Sequence, residues 1–194
     1  MTWSIVARDP SGALGVVVAS RFFAVGALCP YAHSGVGALS TQALFNPLYG
    51  PRGLALLSQG IAPNDVVRSL VADDPGREHR QFHLVDAEGK VAAHTGIQCL
   101  EWSGQLAGDG FSVAGNMLAG PQVIEATARV YDAGRDLPFA ERLMAAMTTG
   151  EAACPFFFRF SISLAAWARR LATETYGLNE YHMEIPFPKE YEAF

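Results

Sequence analysis

The first segment of the chain alternates between apolar and polar residues, which predicts a β-strand. Within Thr2–Arg8 every second side chain is apolar, namely Trp3, Ile5 and Ala7. Asp9–Gly12 reads Asp-Pro-Ser-Gly, a turn signal, because proline presets φ and glycine accepts a positive φ. Leu14–Ser20 is an almost continuous apolar run rich in valine, typical of a strand covered on both faces. The chain is therefore expected to open with a β-hairpin.

The same patterns predict the elements that follow. Strands are expected at Val36–Gln42, Gln81–Val85, Lys90–Thr95 and Phe111–Met117. Helices are expected at Pro51–Gln59, Pro63–Ala72, Gln122–Asp132 and Phe139–Thr148. Two further stretches are the glycine-rich Ala24–Gly37, to which no element is assigned, and Ile162–Thr173, which fits a strand or a helix. Hairpins followed by paired helices, twice over, predict an α+β fold, a four-layer αββα sandwich whose helices cover two stacked, mainly antiparallel sheets.

Composition adds an expectation about assembly and argues against nucleic acid and anionic membranes as partners. The 194 residues suit one domain, and 50% are hydrophobic whereas only 17% are charged, against about 25% in an average globular protein. With so few charges, part of the apolar surface is expected to lie in a subunit interface, which predicts a homo-oligomer. The formal net charge of -5 offers no electrostatic footprint for nucleic acid or an anionic membrane.

No motif points to a metal, a cofactor or secretion. The three cysteines are far apart and form neither a Cys-x-x-Cys pair nor a Cys/His ligand set: Cys29, Cys99 and Cys154. No glycine-rich nucleotide fingerprint follows a strand, so neither cofactor nor metal is expected. The first residues carry no basic and apolar leader, and no apolar run reaches the roughly 18 residues of a membrane span. The expected location is the cytoplasm.

Thr2 is the candidate nucleophile. Methionine aminopeptidase removes Met1 when the second residue is small, which would leave Thr2 with a free α-amine. That amine has a reference pKa of about 7.7–8.0, so a useful fraction is neutral near pH 7. One residue then supplies a hydroxyl nucleophile and its own general base. The alternative is that Met-Thr is merely a common beginning of a cytosolic protein.

Longer stretches of the sequence resemble a known family. The blocks ASRFFAVGAL, TQALFNPLYGPRGL, VDAEGKVAAHTG and VAGNMLAG are similar to those of the bacterial domain-of-unknown-function family 1028, and the resemblance runs from Thr2 to about Ala153. It implies the N-terminal-nucleophile (Ntn) hydrolase fold, without an established substrate. The opening hairpin also resembles that of proteasome β subunits, where the nucleophilic threonine opens a strand and the next strand returns a polar residue beside it.

The hairpin and the resemblance suggest further site residues. Ser20 or Arg21 is expected beside Thr2, where a cation would lower the pKa of the amine; Arg21 at a solvated strand end is the alternative. Asn116 is a candidate oxyanion donor, or an asparagine that tolerates a left-handed turn. His94 is a candidate for substrate binding, and the alternative is a structural histidine. The other candidates for binding form a polar cluster whose side chains could equally satisfy the backbone groups of a turn: Thr41, Gln42 and Asn46.

Three functions follow from these residues. The leading one is a hydrolase that acts on an amide-like or other acyl bond of a small-molecule or peptide-like substrate. The second is a non-catalytic binding or assembly module. It is favoured by residues 154–194, which depart from the family pattern although they are expected to belong to the same single domain, 1–194. The third, a thiol or redox protein that uses Cys29, lacks a neighbouring base or a Cys-x-x-Cys motif.

Overall fold

The computed structural model of the chain describes residues 1–154, with their side chains, and the backbone of residues 161–168. Its strands are β1 (Thr2–Arg8), β2 (Leu14–Ser20), β3 (Pro30–His33), β4 (Gly37–Ala43), β5 (Arg80–Asp86), β6 (Val91–Thr95), β7 (Trp102–Gly108), β8 (Phe111–Leu118) and β9 (Ser161–Ala168). Its α-helices are α1 (Tyr49–Ser58), α2 (Pro63–Ala72), α3 (Gln122–Ala133) and α4 (Phe139–Ala152).

The strands form two antiparallel sheets. In the described part of the chain, the first sheet has the order β7-β8-β1-β2-β9 and the second has the order β3-β4-β5-β6. Helices α3 and α4 cover the outer face of the first sheet, and α1 and α2 cover that of the second. The predicted four-layer αββα sandwich is therefore confirmed.

Apolar side chains fill each outer interface between helices and sheet. Alternation along β1 sends Trp3 and Ile5 toward α3 and α4, where they are fully buried. On the second sheet, Phe82 packs against α1 and forms an edge-on ring contact with Tyr49, with 4.6 Å between the ring centroids. Because these apolar side chains pack against the helices, the opposite face of each sheet lies against the other sheet.

The layer between the two sheets changes character along its length. At the end that holds the Asp9–Gly12 turn it is apolar and includes Val6, Val16 and Val85. Toward the end at which β1 begins, which we call the Thr2 end, buried polar side chains replace them. Polar residues in a sandwich core are unusual unless they are hydrogen-bonded to one another, and this segregation points to a site.

Two strands were not expected from the sequence. β3 lies inside the glycine-rich stretch and is a short, half-buried edge strand that begins with Pro30, so it has no apolar alternation. β7 is also an edge strand: its sequence WSGQLAG contains two glycines and is only partly buried. Of the two alternatives for Ile162–Thr173, the described backbone there, residues 161–168, is a strand.

The bounds of most other elements agree with the sequence pattern. β1 and β2 have the predicted limits, whereas α1 begins at Tyr49, before the predicted Pro51, and α4 continues to Ala152, beyond Thr148. Within residues 1–154 and 161–168, no helix is long and apolar enough to cross a membrane.

Candidate functional site

Thr2 is the first residue of β1 and lies between two polar neighbours. In register it faces Ser20 at the end of β2 and Asn116 near the end of β8. Alternation places Thr2 on the same face of β1 as Ser4, which contacts the second sheet. Directly paired residues have their Cβ atoms about 4.5–5.5 Å apart. Three polar side chains on adjacent strands therefore meet where the inter-sheet layer opens at the Thr2 end.

The hydroxyl of Thr2 is hydrogen-bonded to the hydroxyl of Ser20. The two oxygens, Oγ1 and Oγ, are 2.8 Å apart. Ser20 Oγ donates to the carbonyl of Met1 at 3.1 Å and accepts from the backbone N–H of Phe22 at 3.0 Å. Because Ser20 is buried and its own proton is directed at Met1, it serves Thr2 as an acceptor and fixes the position of the threonine oxygen.

The amino terminus beside Thr2 lies in an environment that favours its neutral form. Burial lowers the pKa of the Met1 amine below its ordinary value; Glu101 opposes this and Arg21 adds to it. Glu101 adopts a left-handed conformation with φ of 53° just before β7, which is uncommon for a residue other than glycine. Arg21 thus lowers the pKa of the Met1 amine, and its effect on an α-amine of Thr2 remains a prediction.

Asn116 is buried against the second sheet and takes part in a chain of amides. Its Nδ2 donates to Oε1 of Gln81 at 3.0 Å, and Nε2 of Gln42 donates to the same oxygen at 2.8 Å. Gln42 Oε1 accepts from the hydroxyl of Ser4 at 2.8 Å. The structure thus brings Asn116 and Gln42 into one network that crosses the two sheets.

The network continues to a buried histidine. His83 Nε2 lies 2.8 Å from Ser4 Oγ, and Nδ1 lies 3.0 Å from Ser112 Oγ. Since the Ser4 proton goes to Gln42, the Nε2–H of His83 donates to Ser4 and Nδ1 accepts from Ser112. Burial lowers the pKa of His83 to about 3, and a hydrogen bond to the backbone of Ser112, which favours the charged ring, opposes this only in part. His83 is therefore neutral and acts as a structural link.

The neutral state of His83 predicts a pH dependence of stability. Below about pH 6.5 the unfolded chain protonates this histidine while the folded chain does not, so the free energy of unfolding falls by up to about 1.4 kcal/mol per pH unit down to about pH 3. At pH 5 the loss relative to pH 7.5 is about 2 kcal/mol. Urea unfolding at both pH values, for the wild type and for His83→Gln, measures it. An equal pH dependence in the two chains would contradict this account.

Three predicted binding residues lie elsewhere. Thr41 is opposite Phe82 in register and faces the α1–α2 side of its sheet, away from Gln42. Asn46 is held in the loop after β4, because Nδ2 donates to Asp74 and Oδ1 accepts from a backbone N–H. His94 Nε2 lies 2.9 Å from the carbonyl oxygen of Arg77. None of the three is brought to Thr2, and their role in binding remains a prediction.

The described residues offer little support for thiol or metal chemistry. Burial raises the pKa of the Cys29 thiol to about 12, so the reactive thiolate is scarce at neutral pH. Within residues 1–154, His, Cys, Asp and Glu form no cluster that could hold a metal ion. A shallow cavity of about 280 Å³ lies at the opposite end of the sandwich, between the α1–α2 connection and the turn after β5, and includes none of the residues around Thr2.

Exposed apolar side chains surround the Thr2 end. They lie in the loops that follow β2, β4 and β6 and near the end of β8, and they are Phe22, Phe23, Leu44, Ile97, Leu100 and Met117. Phe23 is 93% exposed and Ile97 is 89% exposed. We call these six residues the apolar rim. Exposed apolar side chains concentrated at one end of a protein make that end a candidate site for a ligand or a partner.

The sequence pattern missed Ser4, Ser112 and the two β5 residues of the network, Gln81 and His83. Both β5 residues lie in the segment QFHLV, where polar and apolar positions alternate. That alternation was compatible with a solvent-facing side, whereas the first sheet covers it. The type of residue was a signal that this face is covered. An exposed strand face usually carries charged side chains, whereas this one carries a neutral amide and an imidazole.

Comparisons with known proteins agree with the fold. The sequence model of the family described as "Family of unknown function (DUF1028)" matches residues 2–154. The crystal structure of protein SPO2555 from Silicibacter pomeroyi, assigned to DUF1028, is similar, with a TM-score of 0.76 and 32% sequence identity, over 78% of this chain and 70% of that chain. No curated protein matches the chain.

Proposed function

The chain belongs to DUF1028, a family of unknown function, and from the geometry around Thr2 we propose that it is an N-terminal-nucleophile hydrolase of amide-like or other acyl bonds. The observation that carries the proposal is the placement of the Thr2 hydroxyl on Ser20, with Asn116 opposite on the neighbouring strand. The match to the family sequence begins at this same threonine. The four-layer αββα architecture is the one expected of such hydrolases.

Removal of Met1 would prepare the site for chemistry. It exposes the α-amine of Thr2 and also removes the carbonyl to which Ser20 Oγ donates. The Ser20 proton is then available to Thr2, within the 2.8 Å contact between the two hydroxyl oxygens. Arg21, which already lowers the pKa of the Met1 amine, would favour the neutral, basic form of the new amine.

The proposed reaction proceeds through an acyl-enzyme. Thr2 Oγ1 attacks the substrate carbonyl carbon while its proton passes to the neutral α-amine. The carbonyl oxygen becomes negatively charged and accepts a hydrogen bond from Asn116 Nδ2. The carbon–nitrogen bond breaks and the leaving amine takes the proton back from the α-ammonium. Water then attacks the Thr2 ester, with the α-amine as base, and releases the acid and the free hydroxyl. The reaction needs no metal or organic cofactor.

The role of Asn116 can be measured with a β-lactone, an electrophile that acylates activated threonine. Asn116→Ala removes the amide donor, and the second-order rate constant of acylation is expected to fall by about 10²–10³-fold. Asn116→Asp keeps the shape but presents oxygen in place of nitrogen, and a comparable fall is expected. Intact-mass spectrometry over time gives the rate. A rate within threefold of the wild type in Asn116→Ala would exclude the oxyanion role.

The requirement for a free amine on Thr2 tests the proposal. A chain with two alanines inserted between Met1 and Thr2 keeps the threonine hydroxyl but moves the α-amine away from it. We expect the β-lactone to acylate the wild type and not the extended chain. Matching circular dichroism spectra would establish that both chains are folded. Equal acylation of both chains would show that the amine is not the base.

The apolar rim suits two uses of this end of the molecule. As part of a hydrolase site, it would bind an apolar portion of a small-molecule or peptide-like substrate beside Thr2. In the second candidate function, a non-catalytic binding or assembly module, the same side chains would bury against another copy of the chain. In this second function, the homo-oligomer expected from the composition would form through the apolar rim. Sedimentation of the wild type and of Phe23→Ser separates the two uses, because only a rim-mediated assembly would dissociate.

A further inference from the structure

Gln81 has an amide whose orientation is fixed by its surroundings. Its Nε2 lies 2.9 Å from the carbonyl oxygen of Gly115, 3.1 Å from that of Gly104 and 2.9 Å from Thr95 Oγ1. Backbone carbonyls accept hydrogen bonds and cannot donate them. The nitrogen of the Gln81 amide must therefore face this side, and its oxygen must face the opposite side.

The local structure explains why these acceptors are available. Gly104 lies at a register irregularity between β7 and β8, where the strand ladder is interrupted. Such an irregularity leaves backbone groups free to bond outside the ladder. Gln81 itself is fully buried between the sheets, so no solvent competes for its amide. Rotating the amide by half a turn would place its oxygen against two carbonyl oxygens, which is strongly unfavourable.

The fixed oxygen of Gln81 determines how Asn116 is presented. Oε1 of Gln81 accepts from Asn116 Nδ2 at 3.0 Å, so the asparagine must direct its nitrogen, and not its oxygen, to this point. The Nδ2 group has two hydrogens. One is used by Gln81, and the structure gives the other no acceptor within residues 1–154. That second N–H is the one available for a substrate oxygen beside Thr2, which is opposite Asn116 in register.

A second donor holds the same oxygen in place. Gln42 Nε2 donates to Gln81 Oε1 at 2.8 Å and to the carbonyl of Ala114 at 3.2 Å. Gln42 is oriented in turn by the Ser4 hydroxyl. The hydrogen bonds that lead from Ser4 through Gln42 therefore run in one direction to Gln81, whose own N–H groups continue them to backbone carbonyls. This order keeps a single arrangement of the protons in the network.

We propose that Gln81 is a positioning residue: by accepting one N–H of the Asn116 side-chain amide, it holds the other N–H toward Thr2. This inference rests on the proposed function, because it assigns Gln81 a part in the stabilisation of the oxyanion. Gln81 does not contact the substrate itself. A residue that acts through Asn116 must lose its influence once Asn116 is absent, whereas a residue needed only for packing must keep it.

A double-mutant cycle on the full chain tests the proposal. Gln81→Met removes the acceptor at similar volume, and the rate constant of acylation by the β-lactone is expected to fall about 10- to 100-fold. In an Asn116→Ala background the same substitution is expected to change the rate less than threefold. Val85→Ala, on the same strand in the apolar part of the inter-sheet layer, is the matched control and should acylate at the wild-type rate.

Each outcome of the cycle decides the question. An equal fall in both backgrounds would overturn the positioning role and leave the proposed function intact. A fall in Val85→Ala as large as in Gln81→Met would assign the effect to general destabilisation and overturn the role as well. A wild-type chain that is never acylated would contradict the proposed function, and the inference with it. If Gln81→Met does not fold, Gln81→Asn, which keeps an amide but withdraws it by one methylene, enters the same cycle.

Discussion

Replacing Thr2 by alanine is expected to reduce acylation by a β-lactone by about 10³-fold or more, with little change in stability. The substitution removes the attacking oxygen and nothing from the apolar core. Thr2 is only partly buried, and within residues 1–154 its hydroxyl makes one hydrogen bond, to Ser20. Ser20 keeps its contacts with Met1 and the backbone of Phe22 in the chain before processing. The free energy of unfolding should therefore change by about 1 kcal/mol or less.

The comparison with Thr2→Ser controls for processing and for the nucleophile. Alanine and serine are both small, so Met1 should be removed from either variant as from the wild type. Serine retains a hydroxyl and is expected to be acylated, whereas alanine is not. Intact-mass spectrometry measures the adducts, and urea unfolding measures the stability of the three chains. Undiminished acylation of Thr2→Ala would place the reactive group elsewhere and dismiss Thr2 as the nucleophile.

The largest expected effect on stability belongs to Asp74, which is buried near the Thr2 end. Its carboxylate accepts hydrogen bonds from Arg80 Nε at 3.0 Å, Asn46 Nδ2 at 3.0 Å, Tyr49 Oη at 2.9 Å and the N–H of Gly76 at 2.8 Å. Burial by itself would raise the pKa of Asp74, but these hydrogen bonds outweigh it and hold the pKa below its ordinary value. The contribution of these hydrogen bonds to the free energy of unfolding is complete above about pH 4 and is lost at lower pH, as the carboxylate is protonated.

Asp74→Ala should destabilise the chain by about 3 kcal/mol, because it leaves the partly buried guanidinium of Arg80 without its counter-charge. The neighbouring Asp73 is the matched control. Its carboxylate pairs with Arg52 at the surface, and both side chains are more than half exposed, so Asp73→Ala should change stability by about 0.5 kcal/mol or less. Urea unfolding at pH 7 compares the two. Equal effects would show that the Asp74 cluster contributes no more than a surface ion pair.

The Asp74 cluster also explains why Asn46 is not in the site. From the sequence, a polar residue at a strand-to-loop junction could either line a pocket or satisfy a turn. The choice depends on Asp74 and Arg80, which are distant in sequence from the loop after β4 but adjacent to it in the fold. The local sequence does not show this contact. Only the tertiary structure shows that Asn46 bonds to Asp74 and to the backbone of its own loop.

The opening hairpin and the helices were predictable because their signals are local. The Asp-Pro-Ser-Gly turn fixes the register of β1 and β2, and that register alone brings Ser20 to Thr2. β7 could not be found in the same way, since an edge strand with two glycines lacks an apolar pattern. The roles of Gln81 and His83 also escaped local analysis, because whether a polar strand face is exposed or covered depends on the packing of the other sheet.

The most direct test of the central claim is intact-mass spectrometry of the untagged chain before and after incubation with a β-lactone. We expect the loss of Met1, a single adduct and, after proteolysis, its location on Thr2. A chain that retains Met1, or one with an exposed Thr2 that is not acylated, would contradict the claim that this threonine is an activated N-terminal nucleophile.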